Sequence, residues 1–324
     1  MNQRYPDISV ILPVFNCEQF IKTAIDSILF QTYQDFELII LNDGSTDATE
    51  KIIHSFDDER IKNYKSRNYG IVYQLNKGIY LAQGEFIARM DADDISHPDR
   101  FKKQIEYLSV HKEIVAVGTN YYMINEDTKI INKKQAPPSQ TECGFMAPLN
   151  SPILHPTLMI KKEVLQKIGG YDEKYNLIED YELFNRLISN GYKLANVNEF
   201  LFYYRIYMNS INSQKEKYQQ VKIYDYGSKL LKSRIKHNHS TNKHRVYFQL
   251  LLLEYYLGSI TLSRKYFLKL LLIKPLIIFQ IIRYLPLLIL GNKVARFLRE
   301  KKILFKINYF INSKLNIDLQ RLFR

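Results

Sequence analysis

Three carboxylates stand within four residues in Asp91-Ala92-Asp93-Asp94, directly after the apolar run Phe86 to Met90. In extended chain Asp91 and Asp93 project to the same side, because side chains alternate with period two. Two hard carboxylate oxygens on one side suit Mg²⁺ or Mn²⁺, and such an ion can bridge a diphosphate. A departing diphosphate gains charge in the transition state, which a divalent ion neutralises. The same residues would also serve as an acidic turn before a helix expected from Pro98, so the spacing alone leaves both uses open.

Other polar groups fall at comparable places. Asn42-Asp43-Gly44-Ser45 ends a second apolar run, Phe36 to Leu41. The Asp43 carboxylate can accept the imide N–H of uracil or another base edge, and Gly44 lets the backbone turn closely. A plain Asp-Gly turn is the alternative. Pro13 and Val14 end a first apolar run, where backbone groups can frame a base. Arg67, in Ser66-Arg67-Asn68, can reach a nucleotide or its phosphates, or can be an ordinary exposed charge. Glu179-Asp180 opens the helical pattern EDYELFNRL, where the helix dipole helps keep a carboxylate ionised. Such a carboxylate can take a proton from an attacking hydroxyl, although acidic first turns are common without that use. His155 reads as a polar residue inside an apolar strand, functional or simply hydrogen-bonded.

The elements that must carry these groups follow from periodicity. ISVILPV and FELIIL read as buried strands, with a helix over residues 18–30 between them. Ser45 or Thr46 can cap a helix running to about Phe56. A weaker strand at IKNYK, a helix over 71–83 ended by Gly84, and a strand at EFIARMD follow. Alternating strands and helices predict an α/β sheet, which binds ligands at the carboxyl ends of its strands. Beyond a helix from Pro98 to His111, IVAVGTNYYMI reads as a long strand or a strand pair. Residues 132–151, polar and proline-bearing, read as a loop that could close over a site. LHPTLMIKK reads as a strand, then come VLQKIGGY and EDYELFNRLISNGY as helices stopped by glycine, and the strand FLFYYRIY.

The chain has 324 residues and a net charge of +13. Residues 1–200 carry 22 Lys and Arg against 28 Asp and Glu, whereas residues 201–324 carry 24 against 5. An acidic-leaning part is thus joined to a basic part suited to a polyanion. We place the boundary at 212: residues 1–212 as the catalytic domain and 213–324 as a helical, basic region. Lys265, Lys269, Lys274 and Arg283 break the apolar run of 247–290, and Lys293 follows it, too often for a membrane span. Apolar faces mixed with Lys and Arg fit a helix lying in the membrane interface, with a packed soluble subdomain or a hairpin broken at Pro275 and Pro286 as alternatives. Interleaving with Leu, Ile and Phe suits lipid better than nucleic acid, so no nucleic-acid partner is expected. Cys17 and Cys143 show no disulfide or zinc spacing. The N-terminus runs almost at once into a strand, so no signal peptide is expected.

Taken in order, SVILPVFN, FELIILNDGSTDAT, GEFIARMDADD, HPTLMI, GGYDE, EDYELFNRL and YYR resemble glycosyltransferase family 2 over residues 6–210. The resemblance implies the GT-A fold: a Rossmann-like, mostly parallel central sheet flanked by helices. It implies inverting transfer from a nucleotide-diphosphate sugar. Asp43 matches the base-binding aspartate, Asp91 the aspartate near ribose and metal with Ala92 beside it, and Asp93 the ligand for Mn²⁺ or Mg²⁺. Asp180 matches the catalytic base, with Glu179 beside it. His155 and Arg205 match positions common in the capsule and lipopolysaccharide branch, with acceptor or diphosphate contacts as their expected roles. The chain lacks Trp, and with it the QxxRW motif of processive members, so transfer of one sugar per acceptor is expected. The expected acceptor is a saccharide, naturally lipid-diphosphate-linked, met by a cytoplasmic enzyme held peripherally on the inner face of an anionic membrane.

Two rival classes fit the sequence less well. A nucleotidyltransferase would need a glycine-rich basic loop near the N-terminus, which ILPVFNCEQF does not provide. A non-catalytic membrane scaffold is disfavoured by the intact Asp91/Asp93 and Glu179/Asp180 pairs.

Overall fold

The structure, a computed structural model, describes residues 5–207, 211–237, 243–256 and 265–269. The chain divides into two compact units, Met1–Gln219 and Gln220–Arg324. The first begins β1 (Ile8–Val14), α1 (Ile21–Leu29), β2 (Phe36–Asn42), α2 (Thr49–Ile53), β3 (Ile61–Lys65), α3 (Ile71–Leu81) and β4 (Phe86–Arg89). It continues with β5 (Ile95–Ser96), α4 (Arg100–Val110), β6 (Ile114–Ile124), β7 (Ile130–Lys134), α5 (Gln140–Met146), β8 (Met159–Lys161), α6 (Lys162–Lys167), α7 (Glu179–Ser189) and β9 (Lys193–Arg205). The division falls within α8 (Ile211–His237), and α9 (Lys243–Tyr256) belongs to the second unit.

The nine strands form one sheet in the order β3-β2-β1-β4-β8-β6-β9-β5, with β7 paired to β6. β3, β2, β1 and β4 are parallel neighbours, as are β6 and β9. β8 runs antiparallel between β4 and β6, so the sheet is mixed beyond β4. The parallel half explains the unbroken apolar runs. Ile8, Val10, Leu12 and Val14 join one core cluster with Phe36, Leu38 and Ile40, under α1 and α4. Ile11, Ile39 and Leu41 join a second cluster with side chains of α3, α6 and α7. Alternate residues therefore feed opposite faces, and both faces are helix-covered.

At about 1.5–3 kcal/mol for each fully buried large side chain, this two-sided core tolerates a polar interruption, provided it is satisfied. Ser9 and Glu37 are that interruption. Ser9 Oγ donates to Glu37 Oε1 at 2.6 Å, which also accepts the Gln83 N–H at 2.7 Å. The Gly84 N–H donates to Ser9 Oγ at 2.8 Å. Gly84 is more than the stop of α3, because a Cβ there would lie 2.7 Å from the Ser9 nitrogen and 2.8 Å from the Ile8 carbonyl carbon.

Several local expectations are corrected. Neither Ser45 nor Thr46 caps α2: Ala48 is its N-cap residue, and Asp47 Oδ1 accepts the Thr49 N–H at 3.0 Å. Ser45 Oγ and the Thr46 N–H instead bond Asn16 on the neighbouring loop. Residues 132–151 are not a plain loop. They contain the end of β7 and all of α5, whose Ser139 and Glu142 form a capping box. His155 lies in a 3-10 turn, His155–Thr157, ahead of the short β8 rather than inside a strand. β9 begins at Lys193, before the apolar FLFYYR run, and tolerates polar Asn196 because its amide donates to the carbonyls of Pro137 and Pro152. Cys17 and Cys143 are free thiols.

In the second unit α9 buries Val246, Phe248 and Leu250 to Leu253. Among the described residues no helix is long and apolar enough to cross a membrane. The expectations about Lys274, Pro275, Arg283, Pro286 and Lys293, and with them the membrane-interface tail, lie outside the described residues.

Gly84→Ala is expected to force β1 from the α3–β4 turn and destabilise the fold by about 1–3 kcal/mol. Thermal denaturation should show a midpoint lowered by roughly 5 °C; an unchanged midpoint would contradict the close approach.

Candidate functional site

The parallel strands deliver their carboxyl ends to one edge. There the Asp43 N–H donates to the Val14 carbonyl at 2.8 Å, joining the ends of β1 and β2. The Asp43 carboxylate is buried and accepts the N–H groups of Tyr69 (2.9 Å) and Gly70 (2.8 Å) and the side-chain amide of Gln74. It thereby fixes the loop from β3 to α3, which carries the exposed Arg67. A carboxylate offers about four acceptor positions, so one remains for a ligand N–H. Gly44 has φ +83, and a Cβ there would lie 3.1 Å from the Ser66 carbonyl oxygen. The loop after β1 is stitched to the loop after β2: the Cys17 N–H donates to Thr49 Oγ1 at 2.8 Å, and the Ala48 N–H donates to Glu18 Oε2 at 2.8 Å.

One strand further, the chain leaves β4 into the acidic turn. Asp91, Asp93 and Asp94 bring one carboxylate oxygen each within 4.8 Å of one another. Burial and the neighbouring Asp91 charge push the Asp93 carboxyl up to about 6, opposed by a hydrogen bond from the Tyr207 hydroxyl. Asp94 is fully buried and raised well above the carboxylate range by burial and then by Asp93. Its Oδ1 accepts the Arg205 N–H at 2.7 Å, and its Oδ2 is buried with no hydrogen-bond partner among the described residues. Clustered, destabilised carboxylate oxygens with an orphan among them fit a hard divalent cation.

Arg205 braces this turn. Its Nε donates to the Asp93 carbonyl at 2.7 Å, and its Nη1 donates to the carbonyls of Asn125 (2.8 Å) and Glu126 (2.9 Å), between β6 and β7. Its guanidinium carbon sits 4.4 Å from the Phe20 ring centroid. The expected ligand-contact residue is thus a buried staple whose guanidinium is engaged by the protein.

The second acidic group opens α7. Asp180 Oδ2 accepts the Ser151 hydroxyl at 2.9 Å, while Glu179 Oε2 is buried with no hydrogen-bond partner among the described residues. Burial, then the Asp180 charge, raises Glu179 to about 7. Burial also raises Asp180, opposed first by the Ser151 hydrogen bond and then by the Tyr181 N–H. His155 is buried and shares a 2.7 Å hydrogen bond with the Tyr171 hydroxyl. Burial, aided by the Arg89 charge, holds the imidazole well below its ordinary value and therefore neutral.

Arg89 is the residue that sequence reasoning missed. It is 5% exposed and pairs with Asp91 at 2.5 Å. Its charge lowers Asp93, Asp94, Glu179, Asp180 and Tyr171 alike. The burial of Tyr171 is in turn felt together with Asp180, Glu179 and Asp91. Arg89 and Tyr171 therefore lie within electrostatic reach of both acidic groups. The signal was available, since Arg89 is a charge inside an otherwise apolar strand. Ser151 and Tyr207 gave none.

The mixed α/β sheet, with Asp43 and the Asp91/Asp93/Asp94 cluster at the carboxyl ends of its parallel strands, is a GT-A-like fold. The family model "Glycosyl transferase family 2" matches residues 9–169. The O-antigen biosynthesis glycosyltransferase WbnJ of Escherichia coli is 34% identical over 222 residues, 67% of this chain and 86% of the relative. The UDP-Glc:alpha-D-GlcNAc-diphosphoundecaprenol beta-1,3-glucosyltransferase WfaP of Escherichia coli is 32% identical over 213 residues, 65% of this chain and 81% of the relative. The mannosyltransferase PcManGT of Pyrobaculum calidifontis, solved with GDP-Man and Mn²⁺, superposes with a TM-score of 0.59 at 14% identity, covering 96% of this chain and 88% of that one. The chain belongs to glycosyltransferase family 2.

Arg205→Gln is expected to release the acidic turn and the β6–β7 turn together. Amide exchange should quicken about tenfold in both turns, the size expected for losing bonds to a charged group. Quickening in one turn alone would refute the brace.

Proposed function

We propose that this enzyme transfers one sugar from a UDP-sugar, with inversion, to a saccharide acceptor in the synthesis of a surface polysaccharide. The observation that carries the reading is the convergence of the Asp91/Asp93/Asp94 group and the Glu179/Asp180 pair around Arg89 and Tyr171. The names of WbnJ and WfaP support a polysaccharide context, and that of WfaP supports a UDP-linked donor and a diphosphoundecaprenol-linked acceptor. The basic surplus of residues 201–324 supports peripheral attachment to the inner face of an anionic membrane, with the catalytic part in the cytoplasm.

In this reading Pro13, Val14, Asp43 and Arg67 frame the nucleotide, and Asp91 and Ala92 meet its ribose. Asp93 and Asp91, with Asp94 behind them, would hold Mn²⁺ or Mg²⁺. That ion supplies charge neutralisation for the departing diphosphate. Asp180 receives the acceptor's proton as its hydroxyl attacks the anomeric carbon. Arg89 keeps Asp91 aligned and stabilises the ionised forms of the carboxylates around it. His155 and Arg205 act from behind, fixing Tyr171 and the acidic turn rather than touching substrate.

The first test is UDP release from UDP-, GDP- and dTDP-sugars with and without Mn²⁺. Release from one UDP-sugar that needs the metal is expected; release from none, with no thermal stabilisation by UDP plus Mn²⁺, would overturn the reading. Asp180→Asn should abolish transfer and keep that stabilisation, whereas Asp93→Ala should lose it.

The pH dependence has a defined sign. The Glu179/Asp180 pair titrates as a unit. Burial raises both carboxyls, Glu179 to about 7 and Asp180 above its ordinary value. Transfer should fall about tenfold per unit as pH drops through the raised Asp180 midpoint, where the base takes up its proton. A rate that rises as pH drops below 6 would contradict Asp180 as the base.

A further inference from the structure

The two carboxylates at the start of α7 are neighbours in sequence and unequal in environment. Asp180 has a hydroxyl partner, and Glu179 Oε2, though buried, has none among the described residues. The partner comes from a segment 29 residues away that is itself fastened to α7. Asn185 Nδ2 donates to the Ala147 carbonyl at 2.7 Å, and the Tyr181 hydroxyl donates to the Pro148 carbonyl at 2.8 Å. On the far side, Asn196 Nδ2 donates to the Pro152 carbonyl at 3.1 Å. These bonds hold Ser151 in place from both flanks. The segment is a fixed strap along α7, and its one side-chain hydroxyl aimed at the acidic pair is that of Ser151.

We propose that Ser151 is a positioning residue that selects Asp180 over Glu179 as the base, by donating its hydroxyl to Asp180 Oδ2 and fixing the orientation of that carboxylate. The inference rests on the reading of Asp180 as the base. Two adjacent carboxylates in a poorly solvated site repel, so one proton is retained by the pair and goes to the oxygen with less support. Glu179 has only backbone N–H support, from its own residue and Leu177, whereas Asp180 has the Ser151 hydroxyl besides; Glu179 takes the proton, leaving Asp180 ionised and aimed. The other charged and titratable groups that act on Asp180 are Glu179 from its own helix, Arg89 from β4, and the Tyr171 hydroxyl after α6. None of them distinguishes the two carboxylates by a hydrogen bond.

The test uses the full chain labelled with carboxyl-¹³C aspartate, and it needs no donor. The Asp180 resonance is the one that Asp180→Asn removes. In Ser151→Ala its midpoint should rise by about one pH unit, the size of one lost hydrogen bond to a charged acceptor. Ser151→Thr should restore it. With a donor that the wild type turns over, Ser151→Ala should lower kcat about tenfold and move its acid limb upward. Thermal stabilisation by UDP plus Mn²⁺ should stay within the wild-type range. An unmoved Asp180 midpoint overturns the proposal, whether or not the variant is less active or less stable. If Asp180→Asn retains transfer, the base assignment falls first and this proposal with it. If Asp180→Asn is inactive and Ser151→Ala keeps the wild-type acid limb, only the role of Ser151 falls.

Discussion

The site is governed by the cost of gathering negative charge where water is scarce. Five carboxylates, from Asp91, Asp93, Asp94, Glu179 and Asp180, lie within electrostatic reach of the buried Arg89 guanidinium. Removing an ionised group from water is costly unless it is paired. The protein meets that cost unevenly. Asp91 has the Arg89 ion pair, Asp94 has one backbone N–H, Asp180 has Ser151, and Glu179 Oε2 has nothing among the described residues. The raised carboxyls of Asp93, Asp94, Glu179 and Asp180 measure the remaining strain.

The fold is arranged to impose this gathering. β4 ends in the acidic turn, and the antiparallel β8 beside it is preceded by the turn that holds His155. β9 then returns alongside β6 so that Arg205, paired with Ile124, reaches the Asp93 carbonyl and the β6–β7 turn together. A second buried guanidinium, Arg100, donates to the carbonyls of Arg89 and Pro156 from the start of α4. Both arginines donate their side-chain hydrogen bonds mainly to main-chain carbonyls and hold the walls, while Arg89, ion-paired to Asp91, acts on the carboxylates of both acidic groups.

What the sequence shows and hides follows from the same physics. β1 and β2 are legible because both sheet faces are covered, which leaves an unbroken apolar run. Asp91, Asp93, Glu179 and Asp180 stand out only through their order among the other motifs, because an acidic turn or an acidic helix start is common by itself. α5 is hidden behind Pro137 and Pro138, although its Ser139-x-x-Glu142 box was visible. His155 was placed in a strand because three apolar residues follow Thr157, whereas its buried bond to Tyr171 belongs to a turn. Ser151 left no trace at all: a serine in a proline-rich segment has no periodicity, and its partner lies 29 residues on.

A carboxyl raised in the folded chain binds its proton more tightly there than in the unfolded chain. It therefore adds stability below the ordinary carboxylate range, and that stability is lost as pH rises through the folded value. For Asp93 and Glu179 the loss is complete near pH 6 and pH 7 respectively. As pH rises toward neutral these two carboxyls thus pass into their less stable, ionised form, the one in which the edge has most to gain from a cationic ligand. Anything that binds this edge as a cation restores through ligand binding the stability that deprotonation removed. The acidic turn and the α7 pair differ in this respect. The turn brings three carboxylate oxygens within 4.8 Å of one another, whereas in the α7 pair one carboxylate takes the Ser151 hydroxyl. In the proposed reading the first arrangement suits a divalent ion and the second a proton, and the hydrogen bond to Asp180 marks the difference between them.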